Sequence, residues 1–341
     1  MNCTVRDVAR LAGVSPSTAS RALSRPEMIS AETRARVLEA ARALGWIPNR
    51  LARSLTKGST QNVGIVVPDI VNPFFPPLIR GAQQEAWTRS FSVLLGDSNE
   101  NSAREFHVAR ELSTQVDGLL LVSSRLAASE IAELRERCEV VLVNRIIKGV
   151  SSVVIDTATG VRRAVQHFVE TGHRQVHYVS GPAGSWSNAQ RVAALEAECE
   201  ARGIACRILA PSVGAFERGR ACVDDLLAAG ATAVLAYDDI TALGIIAGLA
   251  DKHVRVPDDV SIIGCDDIPM AGQLGLATIS VPLDAVGSVA VALLIDLIAE
   301  RTNAQDRRAR RRRVPGALVL RATAGSARAG RGAGRGRPTT A

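Results

Sequence analysis

The sequence lacks a hydrophobic stretch long enough to cross a membrane. One of its longest apolar runs, residues 242–250, lies between two aspartates and is well short of the roughly 18 residues that a membrane-spanning helix requires. The first seven residues contain no apolar segment behind a basic start, so we recognise no secretory signal there. These two observations predict a cytoplasmic protein.

Cysteine motifs and catalytic motifs are also missing. The six cysteines, at positions 3, 138, 199, 206, 222 and 265, form no C-x-x-C pair, which argues against both a disulfide framework and a zinc cluster. The histidines lack ligand spacing, and we find no G-x-G-x-x-G after a strand, no Walker A motif, no H-E-x-x-H and no G-x-S-x-G. We therefore predict no metal, no cofactor and no enzymatic activity.

What the sequence does contain is an uneven distribution of charge. With 341 residues, 47% of them hydrophobic and 22% charged, the composition is that of a folded protein of two or three domains. Residues 1–60 contain 10 Lys and Arg against 4 Asp and Glu, residues 301–341 contain 12 against 1, and the middle is acidic. Basic ends favour contact with a polyanion, although they could equally serve only to keep the chain soluble.

The first sixty residues have the pattern of a helix-turn-helix. Thr4 and Asp7 form a capping box that begins one helix, and Gly13 allows a tight turn. Ser15 is a favoured N-cap for a second helix over residues 16–24, with proline at its first position. The spacing of these signals predicts two helices joined by a short turn.

The second of these helices has the side chains of a DNA-recognition helix. A third helix follows, capped by Ser30 and running to about Leu44. An arginine can bond guanine in the major groove, and hydroxyls can bond bases or phosphates. The outward-facing residues of the second helix are Ser17, Thr18, Ser20 and Arg21. The alternative is a small three-helix protein-binding module.

A very short helix is predicted after Pro48, with Asn49 as its cap and only about six residues, too few to be stable alone in water. It should fold only against a partner. Arg50 and Arg53 could contact phosphates, and Leu55 could act as an apolar wedge in a DNA minor groove. The same stretch could instead be a solvated linker between domains.

Several motifs in order resemble the lac repressor (LacI/GalR) family. They are TVRDVA at 4–9, AGVSPSTASR at 12–21, PNRLARSL at 48–55, VVPD at 66–69 and NPFF at 72–75. The resemblance covers residues 4 to about 323. It implies a dimeric transcription regulator that reads a near-palindromic operator with two recognition helices and pairs its hinge helices in the minor groove.

The resemblance also implies roles for individual residues in the first sixty. Leu55 would be the intercalating side chain. Base-facing positions would be Pro16, Ser17 and Arg21, and phosphate anchors would be Thr4, Ser15, Thr18, Ser30, Thr33 and Asn49. The predicted DNA-binding set also includes Ser20, Arg50, Ala52 and Arg53. Two departures from the family occur: Ala19 replaces the usual valine, which loosens the packing behind the helix, and Ser24 replaces the usual asparagine, which alters a contact at the helix end.

After residue 60, short apolar runs alternate with helical segments, a pattern typical of parallel sheets covered on both faces. Ten runs suit two doubly wound lobes better than one, and the resemblance implies the same periplasmic-binding-protein-like fold. The predicted strands are 63–67, 92–95, 118–122, 140–143, 153–155, 176–179, 205–209, 233–236, 261–264 and 318–320.

We therefore predict an all-α helix-turn-helix head followed by an α/β body of two doubly wound parallel sheets. The head covers residues 1–46, the hinge helix and linker cover 47–60, and the effector-binding and dimerisation domain covers 61–323. Within the body, the expected first lobe comprises about 61–157 and 288–319, and the second about 160–284 and 320–323. Crossings between lobes are expected near 156–160, near 280–288 and near Leu320.

Polar residues at the carboxyl ends of the predicted strands mark a ligand cleft, because open parallel sheets bind ligands there. Carboxylates with an arginine suit a polyhydroxylated ligand, and aromatic faces can stack on it. Any one of these residues could instead be a helix cap or a loop residue. The predicted effector-binding set is Asp69, Phe74, Phe75, Ser124, Arg145, Trp186, Arg191, Asp238 and Asp266.

For five members of this set the assignment comes from the family resemblance: Phe74, Phe75, Arg191, Asp238 and Asp266. Here too the sequence departs from the family, since Asp238 occupies a position that is commonly asparagine. Around residues 214–217, glycine or alanine replaces the aromatic that often stacks on the ligand, and Trp186 could compensate.

The carboxyl-terminal segment is dominated by arginine. Residues 306–313 are predicted to form a charged loop before a last strand over 314–323, and residues 324–341, rich in Gly, Arg and Ala, are predicted to be disordered. No leucine heptad is present, so we predict a dimer without a coiled-coil tetramerisation helix. The tail could add nonspecific affinity for phosphates or only solubilise the chain.

The leading hypothesis is a transcriptional repressor, which binds a palindromic operator as a dimer under control of a small-molecule effector, expected to be a sugar or a sugar derivative. One alternative is a two-lobed small-molecule-binding protein without a specific operator, either in the cytoplasm or in transport or chemotaxis. The other is a cytoplasmic enzyme on a doubly wound fold, for which the sequence offers no catalytic constellation.

Overall fold

A computed structural model describes residues 3–24, 28–46, 59–210, 214–301 and 308–327 of the chain. The chain forms two compact units, Met1–Thr60 and Gln61–Ala341. In the described part of the chain, no helix is both long and apolar enough to cross a membrane.

Within its described residues, the first unit contains three helices, and hydroxyl side chains stand at their starts. They are α1 (Val5–Leu11), α2 (Pro16–Ser24) and α3 (Ala31–Ala43). Asp7 accepts hydrogen bonds from the Thr4 N–H and the Thr4 hydroxyl, at 3.0 and 2.7 Å. Thr4 and Asp7 therefore form the predicted capping box at the start of α1. Gly13 takes a φ of +66° between the first two helices, as a tight turn requires.

Small side chains fill the core of this unit. Alanine supplies six of its eight buried members, which are Val8, Ala9, Ala12, Ala19, Ala22, Val37, Ala40 and Ala41. Ala19 is completely buried, so the position that departs from the family pattern lies behind α2, in the core. The side chain of Ser24, the other departure, lies outside the described residues.

The second unit alternates strands with helices. Its strands are β1 (Asn62–Val67), β2 (Ser92–Asp97), β3 (Gly118–Val122), β4 (Glu139–Val143), β5 (Ser151–Asp156), β6 (Gln175–Val179), β7 (Ala205–Leu209), β8 (Ala233–Ala236), β9 (Ser261–Asp266), β10 (Ala277–Ser280), β11 (Arg311–Pro315) and β12 (Ala317–Val319). Its helices are α4 (Phe75–Thr88), α5 (Ser102–Leu112), α6 (Ala128–Arg137), α7 (Ala158–Glu170), α8 (Trp186–Ala201), α9 (Ala215–Ala221), α10 (Val223–Ala228), α11 (Asp239–Asp251) and α12 (Leu283–Glu300).

Two six-stranded sheets define two lobes. The first sheet has the order β11-β5-β4-β3-β1-β2, and every neighbouring pair is parallel. The second has the order β12-β10-β9-β8-β6-β7 and is parallel except for β12, which runs antiparallel to β10. Helices cover both faces of each sheet, so the strands are buried apolar runs, as the sequence pattern predicted. The predicted fold class is confirmed.

The chain crosses between the lobes three times, and the crossings meet at Gly316. They lie after Asp156, after Ser280 and at Gly316, between β11 and β12. The Gly316 N–H donates to the Asp156 carbonyl at 2.9 Å. A Cβ at Gly316 would lie 3.2 Å from the Ser280 carbonyl oxygen and 3.3 Å from that of Asp156, so a side chain would crowd both neighbouring crossings.

Each lobe locks one pair of helices together through reciprocal glycines. In the first lobe, a Cβ at Gly81 of α4 would overlap the Asp284 carbonyl of α12, and one at Gly287 would overlap the Leu78 carbonyl. In the second lobe, a Cβ at Gly219 of α9 would overlap the Thr241 carbonyl of α11, and one at Gly244 would overlap the Phe216 carbonyl. The helix backbones in both lobes thus approach more closely than any residue with a side chain allows.

The structure corrects the sequence prediction near the carboxyl end. Residues 311–315 form an edge strand, although 306–313 were predicted as a loop, because an exposed edge strand beside β5 tolerates arginines on its surface. Residues 317–319 pair with β10 in the second lobe, so the last crossing precedes Leu320, and they do not belong to the first lobe. The chain returns to the first lobe earlier than predicted: helix α12 packs on that lobe from Leu283, whereas the returning segment was expected to begin at 288. Strand β10 was not predicted.

Candidate functional site

The second helix of the first unit exposes a polar face. Pro16, Ser17, Ser20 and Arg21 are exposed and lie on one side of the helix, since their spacing follows the helical repeat, while Ala19 and Ala22 are buried on the other side. Thr18 is half-buried at the edge of this face. The predicted base-facing residues therefore share one accessible surface.

The predicted phosphate anchors of this unit lie at the starts of its helices. Ser15 caps α2, because the Thr18 N–H donates to its Oγ at 3.1 Å, and Ser30 caps α3 by accepting from the Thr33 N–H at 3.4 Å. Thr4 precedes α1. Free amides at helix starts bind phosphate well. The remaining predicted contacts, Asn49, Arg50, Ala52, Arg53 and Leu55, lie outside the described residues.

A cavity of about 590 Å³ lies between the lobes of the second unit, at the carboxyl ends of the parallel strands. Such a volume suits a ligand of sugar size or larger. The described lining from the first lobe is Pro68, Asp69, Asn72, Phe74, Phe75, Glu100, Ser123, Arg125 and Asn144. The described lining from the second lobe is Ser180, Gly181, Pro182, Ala183, Ser185, Ser187, Asn188, Arg191, Ala210, Gly214, Ala215, Arg218, Tyr237, Asp238 and Asp266.

Six of the nine predicted effector-binding residues line this cavity: Asp69, Phe74, Phe75, Arg191, Asp238 and Asp266. The rings of Phe74 and Phe75 meet edge to face, with centroids 5.0 Å apart, and both residues are nearly buried. They give the first lobe's wall an apolar surface.

Three predicted residues do not line the cavity: Ser124, Arg145 and Trp186. Arg145 donates to the Ser124 carbonyl at 2.6 Å, so these two residues bind each other behind the wall. Their sequence neighbours Ser123 and Asn144 line the cavity instead, because the backbone there turns left-handed, with φ of 49° and 59°.

Trp186 begins helix α8 and is half-buried outside the cavity wall. Among the described lining residues, the aromatic side chain of the second lobe is that of Tyr237. Its hydroxyl lies 3.2 Å from the Ser185 Oγ and 3.3 Å from the Ser187 Oγ, two further lining residues. We infer that Tyr237 rather than Trp186 supplies the aromatic face of this wall.

Arg191 is the centre of a buried network in the second lobe. Its guanidinium pairs with the Asp266 carboxylate at 3.4 Å, lies 4.8 Å from the ring centroid of Tyr237 and donates to the Tyr237 carbonyl. Its Nε also donates to the hydroxyl of Thr157, at the first crossing, at 3.4 Å. Burial raises the pKa of Asp266 above its ordinary value, while the Arg191 charge acts in the opposite direction.

The two adjacent aspartates at the start of α11 point in different directions. Asp238 lines the cavity and also caps the helix, since its Oδ1 accepts from the Thr241 N–H at 2.7 Å. Asp239 is completely buried and accepts from the Thr278 hydroxyl at 2.5 Å and the Ile268 N–H at 2.9 Å. Burial raises the pKa of Asp239 to about 6. Asp238 therefore faces the cavity, and Asp239 holds the wall together.

Sequence reasoning missed Asn188, which organises the start of the second lobe's wall. Its Oδ1 accepts from the Tyr178 hydroxyl and the Gly181 N–H, both at 2.9 Å, and its Nδ2 donates to the Ser180 Oγ at 2.8 Å. The N-cap Ser185 three residues before it was the available signal, since it fixes where α8 begins.

Two lining arginines, Arg125 and Arg218, were also missed. Arg125, from the first lobe, forms an ion pair with Glu100, a lining residue of the same wall. Arg218, in the second lobe, is nearly buried and donates to the Thr241 hydroxyl at 3.4 Å. Its only signal in the sequence was its place beside Gly219, which predicts close packing of that helix face.

Comparison with known proteins matches both units. Residues 4–49 match the model of bacterial regulatory proteins of the lacI family, and residues 165–324 match that of a periplasmic binding protein-like domain. The chain is 31% identical to catabolite control protein A of Priestia megaterium over 313 residues, 89% of this chain and 94% of the relative. It is 32% identical to the ribose operon repressor of Bacillus subtilis over 311 residues, with the same two coverages of 89% and 94%.

Solved structures agree with these matches. The cellobiose complex of the transcriptional regulator CelR has a TM-score of 0.70 and 26% identity, and the similarity covers 94% of this chain and 99% of that one. The lac repressor dimer bound to operator and an anti-inducer has a TM-score of 0.81 at 24% identity, with coverage of 95% and 99%, which bears on the fold alone.

Proposed function

The chain belongs to the LacI family of bacterial regulatory proteins, and we propose that it acts as a dimeric repressor controlled by a small molecule bound between its two lobes. It is a DNA-binding transcription regulator, and its relatives are named regulators and repressors rather than enzymes. Since its target is DNA inside the cell, we place it in the cytoplasm.

The exposed face of α2 supports operator reading. Ser17, Ser20 and Arg21 lie on one accessible side of a helix whose other side is packed against α1 and α3. A helix with this face fits the major groove, where arginine can bond guanine bidentately. Two such helices in a dimer would read two halves of a palindrome, and Leu55 and its neighbours would bind between them.

The cavity supports control by an effector. It takes residues from both lobes, and only three chain crossings join those lobes. A ligand that contacts both walls favours one angle between them, and a change in that angle would move the segment that leads to the head. Effector and operator are then coupled, and the coupling is reciprocal. We propose a sugar or sugar derivative, as in the relatives whose structures hold cellobiose or ribose.

The exposed face of α2 carries this proposal, and the test is to select bound sequences from random duplex DNA with the full-length protein. We expect an enriched palindrome. The Arg21→Ala variant should relax base preference at one position in each half-site, at a cost of about 1–3 kcal/mol. The matched control is Arg255→Ala, since Arg255 lies in the other unit and pairs with acidic neighbours. Sequence-blind binding by the wild-type protein would contradict the proposal.

A further inference from the structure

One arginine of the effector cavity has no carboxylate partner among the described residues. Arg191 pairs with Asp266 and Arg125 pairs with Glu100, whereas no described carboxylate lies within ion-pair distance of Arg218. Arg218 is only 5% exposed, its Nη1 makes one long hydrogen bond of 3.4 Å to the Thr241 hydroxyl, and its Nε is buried without a partner. Buried guanidinium groups are normally paired, so this one calls for an explanation.

The packing of α9 against α11 fixes the backbone that carries Arg218. The next residue, Gly219, touches the backbone of α11 so closely that a Cβ would overlap the Thr241 carbonyl. From the other side, Gly244 of α11 approaches the Phe216 carbonyl just as closely. The backbone that carries Arg218 is therefore fixed against α11, and its side chain remains in the cavity wall.

The groups around Arg218 compensate its charge only in part. The guanidinium lies 6.0 Å from the ring centroid of Tyr237, at the outer limit of a cation–π interaction. The nearby Asp238 binds the amide of Thr241 at the start of α11. A fixed cation that faces a cavity with unused donors is a built site for an anion, since the planar guanidinium can bind carboxylate or phosphate in a two-pronged geometry.

We propose that the effector carries an acidic group, a carboxylate or a phosphate, which pairs with Arg218, while its hydroxyl groups bind the remaining polar wall. This inference rests on the proposed function and narrows its ligand class from sugars in general to acidic sugar derivatives. It assigns separate tasks to two arginines: Arg191 is already neutralised by Asp266 and is available to a hydroxyl, and Arg218 selects charge.

The first experiment compares neutral and acidic ligands on the full-length protein. The probes are glucose with glucose 6-phosphate, ribose with ribose 5-phosphate, and glucose with glucuronate, at constant ionic strength, measured by thermal shift and then by calorimetry. We expect the acidic member of at least one pair to stabilise the protein and its neutral partner to bind about tenfold more weakly or worse. The phosphate and carboxylate pairs distinguish the two kinds of acid. Stabilisation by neutral members alone, or by no acidic member, would overturn the proposal.

The second experiment removes the charge. For the acidic ligand that binds, Arg218→Gln should lose about tenfold or more in affinity and should lose the preference over the neutral partner. The matched control is Arg220→Gln, on the same helix, whose side chain is exposed and pairs with Asp251. Equal loss in both variants, or none in Arg218→Gln, would refute the assignment.

Two further measurements separate the possible failures. Arg218→Lys keeps the charge but loses the planar fork, so it should retain part of the preference for the acidic ligand even if the glutamine variant folds poorly. Operator selection with the same preparations tests the proposed function itself. A protein that selects a palindrome and binds only neutral sugars would refute the acidic effector and leave the repressor proposal standing.

Discussion

The two lobes of the body share one architecture but bury different kinds of residue. Each has a six-stranded sheet covered on both faces and a helix pair locked by reciprocal glycines. Among the described residues, the first lobe buries one ionisable side chain other than Cys138, namely Glu105. The second lobe buries seven that are not cysteine or tyrosine: His173, His177, Arg191, Arg218, Asp238, Asp239 and Asp266.

This difference shows that a doubly wound sheet does not require buried charge for its own stability. The first lobe reaches the same fold with Glu105 as its one buried acid or base among the described residues, and it offers the cavity its Phe74 and Phe75 faces. Burying a charged side chain costs free energy unless it is paired. We infer that the buried charges of the second lobe lower its stability and form a polar cavity wall that can discriminate between ligands. We therefore expect substitutions in the second lobe to affect both folding and binding, and equivalent ones in the first lobe to affect one or neither.

The largest effect is expected from breaking the buried ion pair of the second lobe. Asp266→Ala leaves the Arg191 guanidinium buried without its carboxylate, and we expect the free energy of unfolding to fall by about 3–5 kcal/mol. The first-lobe counterpart, Glu100→Ala, breaks a partly exposed pair with Arg125 and should cost about 0–1 kcal/mol. Urea unfolding of both variants measures the two losses in free energy of unfolding. Equal losses would contradict the proposed difference between the lobes.

The next effect is a pH dependence that arises from Asp239. Burial raises the pKa of this carboxyl from 3.8 to about 6, so the native state holds a proton that the unfolded state has released between these values. Its contribution to stability is complete below pH 3.8 and is lost as the pH rises through 6, by about 3 kcal/mol. Between pH 4.5 and 7, the free energy of unfolding of wild type should fall by about 2 kcal/mol more than that of Asp239→Asn, because the asparagine does not titrate.

The first lobe offers the control for that titration. Burial also raises the pKa of Glu105, so Glu105→Gln should alter the pH dependence with the same sign but by less, since the Arg125 N–H and the Arg145 charge favour its ionised form. If Glu105→Gln removed more of the pH dependence than Asp239→Asn, the assignment of the titration to the second lobe would be wrong.

A third test uses the glycines at the close helix contact of each lobe. Gly287→Ala and Gly219→Ala each place a Cβ onto a backbone carbonyl of the facing helix, so both should destabilise the protein by about 1–3 kcal/mol. Only Gly219→Ala displaces the helix that carries Arg218. Ligand affinity, measured at a temperature where both variants are folded, should therefore fall in Gly219→Ala and stay unchanged in Gly287→Ala. If ligand affinity fell in both variants, packing changes in either lobe would reach the cavity, and the expected difference between the lobes would be wrong.

The smallest effect is expected at the edge strands. Arg313 of β11 pairs with Asp156 at 3.1 Å on an exposed surface, and Arg313→Ala should cost about 0–1 kcal/mol and less at high salt. Arg321, beyond β12 in the second lobe, is less exposed and bonds both Asp267 and the Leu276 carbonyl. Arg321→Ala should therefore cost more than Arg313→Ala, and the reverse order in thermal unfolding would contradict the comparison.

The sequence predicted the strands better than it predicted which side chains face the cavity. All ten predicted strands correspond to observed ones, because buried parallel strands are continuous apolar runs. The single last strand predicted over 314–323 is wrong, because the chain there forms two strands in different sheets, 311–315 and 317–319. The start of the first of these was missed, since an edge strand needs no apolar face and its first three residues are arginines. Strand β10, only four residues long, offered too little pattern to recognise.

Within the site, the sequence identified the right loops but not always the right residue. Ser123 and Asn144 line the cavity, whereas the predicted residues were their neighbours Ser124 and Arg145. Which neighbour faces the cavity depends on a left-handed backbone turn that composition does not reveal. Asn188 and Arg218 lie within the helices that follow β6 and β7, several residues beyond the strand ends, so a search confined to the strand ends could not find them. They reach the cavity because helices α8 and α9 pack beside it, which is a tertiary property.

The three crossings at Gly316 have a consequence for the gene. Each lobe is encoded in separate pieces, and the codons for β11 and β12 are adjacent although the strands belong to different sheets. A premature stop codon just before Arg311 would leave most of the reading frame intact and still strip an edge strand from both sheets. Likewise, a single recombination point between two relatives within the body would join unmatched halves of at least one lobe. Only exchanges with several breakpoints, near the three crossings, could transplant a whole lobe and its ligand preference.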